Sequence, residues 1–190
     1  MRIIPYVGFC SAMMLFSSLS AAQDPVPARE LSDHEIIVQL SNAKLNPVPL
    51  DAAQQIDFSL PANWQKYARN NGSVDFKVPY HIGVFGKIEL LSEASGMAED
   101  IQVMEKTLNT ALHSIETQTL ETDYLSGSQA VLSGRSGGEL ALFMLFSGSL
   151  KNGKGIRFYA VCPERWFPAY KLFFLDIIQS VTYPLSRHKS

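Results

Sequence analysis

Cysteine is nearly absent: the 190 residues hold two, Cys10 and Cys162. A disulfide framework is therefore excluded, and stability must come from packing. Cys162 ends the apolar run Ile156 to Val161 and reads as a small buried hydrophobe rather than a nucleophile. Excess charge of either sign is also missing, with 16 Lys and Arg against 18 Asp and Glu. No basic face follows, so no nucleic-acid partner is expected. The four histidines, His34, His81, His113 and His188, stand far apart. No His-Glu-x-x-His or Cys/His spacing occurs, so neither a metal nor a cofactor is expected from the pattern. There is no internal repeat and no low-complexity tract.

Long hydrophobic runs are scarce as well. The longest, Ile3 to Phe16, is interrupted by Pro5 and Gly8 and falls short of the about 20 residues that a membrane-spanning helix needs. Arg2 before it and the small residues Ser20-Ala21-Ala22 after it complete the pattern of a secretory signal peptide, with cleavage expected after Ala22. Cys10 follows Phe9, whereas lipid attachment favours a small residue there. The expected organisation is a signal peptide over 1–22, an N-terminal extension over 23–53, one domain over 54–184 and a polar tail over 185–190. The expected address is the periplasm.

Ser32 and Glu35 have capping-box spacing and predict a short helix. The β-branched run Ile36-Ile37-Val38 speaks for a strand. Asn46-Pro47-Val48-Pro49 is expected to break whichever forms. Ile56 to Leu60 alternates as a half-buried strand, and Trp64 is expected to fold back on the core. Val74 to Val78 alternates again after the turn Asn70-Asn71-Gly72. Asn71-Gly72-Ser73 also fits a glycosylation acceptor, although the turn explains it. Ile82, Val84, Ile88 and Leu90 mark one face of a further strand, with a bulge expected at Gly86.

Met97, Ile101, Met104, Leu108, Leu112 and Ile115 repeat at helical spacing and predict a helix over 97–116. His113 would sit at the edge of its buried face. Glu99 and Asp100 suit its first turn. Strands are then expected over 128–134, 139–149 and 156–162. Gly137-Gly138 and Asn152-Gly153 join them as hairpins, so they form an antiparallel meander. The middle strand is apolar on both faces and should be covered on both. Pro163 is expected at the first position of a last helix that buries Phe167, Tyr170, Phe174, Ile177, Ile178 and Val181. The fold class is α+β, helices packed on an antiparallel sheet.

Gly134-Arg135-Ser136-Gly137-Gly138 matches the hydrolase elbow G-x-S-x-G, but that chemistry needs a helix after the serine. A strand follows instead, so a hydrolase using Ser136 is not favoured and no catalytic residue is assigned. The acidic pairs Glu99-Asp100 and Glu121-Asp123 read as solvated charge. Tyr67, Arg69, Tyr80 and His81 flank the turn between early strands; they read as ordinary core edge first, and as a group would otherwise suit a protein interface. Arg135, Lys151 and Lys154 crowd the meander tips, where they could meet an acidic partner.

Ile56-Asp57-Phe58-Ser59-Leu60-Pro61-Ala62-Asn63-Trp64 resembles the strand-Pro-x-x-Trp opening of PsbP-like α/β/α domains. Phe158-Tyr159-Ala160-Val161-Cys162-Pro163, followed by Phe174 to Tyr183, resembles their last strand and closing helix. The resemblance spans roughly residues 54–184, by element order more than by identity. It implies a binding scaffold without a common catalytic motif, so no site residue is carried over. That family includes periplasmic immunity proteins against type VI secretion toxins and DcrB-type envelope proteins. Two readings follow. One is an exported protein-binding module that covers a toxin or an envelope component. The other is an envelope maintenance factor or small-ligand carrier, with an apolar cavity between the last helix and the sheet lined by some of Phe167, Tyr170, Phe173 and Phe174.

Overall fold

A computed structural model describes residues 32–69 and 72–184. The signal-peptide pattern, the glycosylation asparagine and His188 lie outside them. Among the described residues no helix is long and apolar enough to cross a membrane.

The order is α1 (Asp33–Ser41), β1 (Leu45–Asp51), β2 (Ile56–Pro61), β3 (Gln65–Arg69), β4 (Ser73–Lys77), β5 (Phe85–Leu91), α2 (Met97–Leu108), β6 (His113–Glu121), β7 (Leu125–Ser136), β8 (Glu139–Leu150), β9 (Gly155–Pro163), a 3-10 turn (Glu164–Trp166) and α3 (Phe167–Gln179). Strands β3 to β9 form one antiparallel sheet in the order β3-β4-β5-β9-β8-β7-β6. Helix α3, helix α1 and the β1-β2 ribbon contribute to the core on one face, and α2 covers the other. The expected α+β class is the observed one.

Central strand β8 shows why two layers are needed. Met144 and Phe146 enter the core beneath α3, while Ala141, Phe143 and Leu145 enter the core beneath α2. Period-two alternation with both sides apolar forces cover on both sides. The β7-β8 hairpin turns through Gly137 and Gly138 at φ 60° and 88°, the pair of positive angles that matches strand twist. The Ser32 capping box forms, with Ser32 Oγ accepting from the Glu35 amide and Glu35 accepting from the Ser32 amide. It settles the 33–41 segment as helix.

Several expectations fail for identifiable reasons. The helix expected over 97–116 stops at Leu108, because Asn109 turns left-handed at φ 50°. The β-branched residues Ile115, Thr117 and Thr119 then run as β6, so His113 is a strand residue and Leu112 and Ile115 matched the helical stripe by coincidence. The prolines at 47 and 49 do not end an element; they lie inside β1, which pairs with β2 alone. Two residues apart, they lose their N–H groups on the same side, and an edge strand tolerates that on its open side. Pro163 closes β9, and Pro168 supplies the proline of the α3 first turn. Ile82 is not on a strand face; β5 begins at Phe85, and Ile82 is 89% exposed.

Gly86 carries no bulge, since its register with β4 and β9 runs straight through. A Cβ there would lie 2.3 Å from Phe76 Cζ and 2.4 Å from the Tyr159 carbonyl oxygen. The residue is glycine because the Phe76 ring lies over it. Gly86→Ala should destabilise by about 1–3 kcal/mol through overpacking, read as a lower urea midpoint.

The outer strands differ from the centre. Strand β3 is exposed along its whole length, and β6 nearly so. The register of β6 against β7 shifts between Ser114 and Glu116. Glu116 pairs with Lys171 of α3 at 2.7 Å, and Glu121 with Lys151 at 2.6 Å.

Candidate functional site

The sequence-derived candidates divide between two ends of the sheet. Strand β8 runs 12 residues from the hairpin at Gly137-Gly138 to the loop at Asn152-Gly153. At about 3.3 Å per residue its ends are more than 30 Å apart. Arg135 is therefore at one end and Lys151 and Lys154 are at the other, so they do not crowd together.

At the Lys154 end, Arg69 and Lys154 line a polar notch of about 430 Å³ with Asp51, Gly72, Leu91 and Ser92. Each cation already holds a carboxylate: Arg69 Nη2 lies 2.6 Å from Asp75 and Lys154 Nζ lies 3.2 Å from Asp51. Burial is the largest single influence on the Asp51 carboxyl and raises it. Hydrogen bonds from the Gln54 and Ala53 amides, with the bond and charge of Lys154, together outweigh that and lower it below its ordinary value. The notch is thus close to neutral. Tyr67 stands on β3, 56% exposed, donating to Gln65 Oε1 at 3.2 Å.

The opposite end is apolar. Between Val78 and Val84 the chain loops from β4 to β5 and is closed by three backbone bonds. The Val78 N–H donates to the Val84 carbonyl (3.0 Å), that of His81 to Val78 (3.4 Å) and that of Val84 to His81 (3.2 Å). Tyr80 and Ile82 point outward from this loop, 65% and 89% exposed. Across a notch of about 230 Å³ stands Leu140, 59% exposed, at the start of β8. Gly83, Ser136, Glu139 and Pro163 complete the notch. Gly83 has φ 90°, and a Cβ there would press on Pro163 Cγ at 3.3 Å. Leu140 also borders a second notch with Thr110, His113 and Arg135. The Arg135 guanidinium donates to the Gly138 carbonyl at 2.8 Å, which holds it along the hairpin. Ser136 is the last residue of β7 and is followed by β8, so the strand-then-helix context of a hydrolase elbow does not occur.

His81 is unlike its loop neighbours. It is 3% exposed, and its Nδ1 is hydrogen-bonded to Tyr170 Oη on α3. It anchors the loop to α3, which agrees with the core-edge reading of this residue and not with an exposed one. The sequence pattern, by contrast, places Ile82 and Leu140 on strand faces. The weak signals of their exposure are local. Ile82 lies in a Pro79 to Gly83 loop, and Leu140 is two residues after a double-glycine turn.

The cavity expected between the last helix and the sheet is filled. Phe167, Tyr170 and Phe174 are buried, with Tyr170 stacked on Phe174 at 5.5 Å and Phe174 against Phe158 at 6.5 Å. An apolar groove of about 510 Å³ lies on the outer side of α3 instead. Leu40, Ala43, Leu45, Ala169, Leu172 and Phe173 line it.

This architecture belongs to the PsbP-like α+β type. Among solved structures, the chain is similar to the PsbP protein (CyanoP) of Synechocystis sp. PCC 6803. The TM-score is 0.54 at 15% identity, covering 75% of this chain and 94% of that one. Lesser similarity is found to a Bacteroides thetaiotaomicron VPI-5482 protein, at TM-score 0.49 and 13% identity over 78% of this chain and 51% of that one. A Pseudomonas aeruginosa protein of unknown function gives TM-score 0.47 and 10% identity over 75% and 99%. No protein-family model and no curated relative matches the sequence. At such identities the likeness concerns the fold, and function has to be argued from the site.

Proposed function

We propose that the chain is an exported, non-enzymatic protein-binding module that docks a partner through the Tyr80, Ile82 and Leu140 end of the sheet. The observation that carries this reading is the exposure of Ile82 and Leu140 on opposite walls of one notch. Single exposed apolar residues are normal, but Ile82 and Leu140 share one notch and Tyr80 is exposed on the same loop as Ile82, and such a grouping marks an interaction surface. Arg135 beside them supplies the cation that such interfaces favour. The finer reading is an immunity-type role, in which this end covers a secreted toxin in the periplasm. Export rests on the signal-peptide pattern of residues 1–22, and terminal sequencing of the envelope protein should begin at Gln23.

The test is capture from an envelope extract by the immobilised mature chain, followed by affinity measurement with the isolated partner. Joint replacement Ile82→Asp and Leu140→Asp should weaken that affinity roughly a hundredfold or more, with the thermal midpoint unchanged. Equal affinity for wild type and variant would remove this surface from the reading.

A second reading, a small-ligand carrier of the envelope, draws on the apolar groove beside α3. Mass spectrometry of the native protein would then show a co-purified lipid-like molecule, lost in Leu172→Asp.

A further inference from the structure

The two most exposed apolar residues of the docking end, Tyr80 and Ile82, bracket a buried imidazole. We propose that His81 makes this end pH-responsive: protonation expels its ring from beneath Trp166 and Tyr170, and the Tyr80–Ile82 ledge disperses with it. The regulatory consequence rests on the docking function proposed above; the loop movement itself does not.

The geometry gives the imidazole one partner. Nδ1 is bonded to Tyr170 Oη, and Nε2 has none. The ring is wedged 5.0 Å from the Trp166 ring and 5.8 Å from that of Tyr170, edge-on at 87°. Neutral imidazole has one donor and one acceptor, whereas imidazolium has two donors. Protonation would therefore bury a charged N–H with no acceptor, a state far costlier than moving the ring into water.

Among the described residues, the groups beside the ring are mainly aromatic or kept neutral by burial. Helix α3 brings Tyr170, whose hydroxyl burial keeps protonated. Strand β9 brings Cys162 close to Tyr170, a thiol that burial also keeps neutral. The 3-10 turn brings Trp166 and Arg165, with the guanidinium carbon 4.5 Å from the Trp166 ring centre. Its own loop brings the phenol of Tyr80. Burial lowers the His81 pKa below the ordinary histidine value of 6.5.

The sign follows. The open loop binds a proton near the ordinary pKa, and the closed loop binds it only at lower pH. Closure is therefore fully favoured above about pH 6.5 and weakens as pH falls below it, by up to tenfold per unit. Because the three loop bonds involve the His81 backbone and its two hinge residues, expelling the ring breaks the frame that aims Tyr80 and Ile82.

The experiment uses the mature chain without a partner. Hydrogen exchange of the 78–84 amides, corrected for intrinsic rate and referred to β8, is followed from pH 7.5 to 5.5. Protection should be flat down to pH 6.5 and then fall by up to about tenfold, while β8 is unchanged. The His81 ring signal should titrate below 6.5 in NMR. His81→Phe should remove the pH dependence. Unchanged loop protection to pH 5.5, the same fall in His81→Phe, or a ring titrating at or above 6.5 would each overturn the switch; should the variant not fold, the ring titration decides. Loss of the docking function in the capture experiment leaves these readouts untouched, so the two ideas fail separately.

Discussion

Arg157→Met is expected to remove about 3–5 kcal/mol of folding stability, because it strands a buried carboxylate. Asp100, in the first turn of α2, is fully buried. Its Oδ1 accepts from Ser95 Oγ and from Arg157 Nη1, both at 2.6 Å, and its Oδ2 has no partner. Arg157 also holds Glu89 Oε1 through Nε at 2.7 Å, and Lys87 holds the other Glu89 oxygen at 2.5 Å. Burial raises the Glu89 carboxyl, but bonds from Lys87 and Arg157 overcome that and hold it below its ordinary value. Its contribution to stability is accordingly present at neutral pH and is lost as acid protonates it. The network matters because the apolar grip of α2 is partial: Met104 is buried, while Met97, Ile101 and Leu108 pack on the core only half-buried. Urea unfolding of the single variant measures the loss. The double variant Arg157→Met with Asp100→Asn should be more stable than the single one, since no charge is left unpaired. A loss below about 1 kcal/mol for Arg157→Met would show that α2 is held by its apolar stripe alone.

Phe174→Ala should cost a comparable amount, about 3–5 kcal/mol, by opening a cavity in the larger core. The ring is wholly buried between Tyr170 and Phe158. Those two rings sit on α3 and β9, so they cannot collapse into the space without moving a helix or a central strand. Leu172 on the same helix is 70% exposed, and Leu172→Ala should lie within about 0.5 kcal/mol of wild type. Similar losses for both would contradict the burial pattern on which the layer assignment rests. The Phe174 variant should also lower protection of the 78–84 loop at neutral pH, since Tyr170 stacks on Phe174 and bonds His81.

The meander was legible because two codes agreed there. Alternation set β7, β8 and β9, and the Gly137-Gly138 and Asn152-Gly153 turns set their pairing. Helix α3 was legible from its apolar stripe, although Pro163 misled the reading of its start, since the 3-10 turn lies between. Strand β6 was hidden by a helical period that ran past its real end; Asn109 and the alternating Ile115, Thr117 and Thr119 carried the opposing signal. Strand β1 was hidden because two prolines read as a breaker, and nothing local says that a strand will have only one neighbour. The site was less legible than the fold. Tyr80 and Arg135 were found as exposed candidates. Ile82 and Leu140 were not, because exposure at a sheet end depends on which loops stop short above it. The His81 anchor joins residues 89 positions apart, a separation no local pattern reports.

Strand β6 carries one more consequence. A nine-residue edge strand with eight residues exposed forms a template on which other chains can grow as fibrils. Here the ladder is interrupted at Ile115, between Ser114 and Glu116, so an incoming strand meets a kink rather than a flat rail. Glu116 and Glu121, each clasped by a lysine of the same molecule, place fixed charge along the remainder. Aggregation through this border is thereby discouraged by shape and by charge together, and the protein can keep an unclosed sheet in solution.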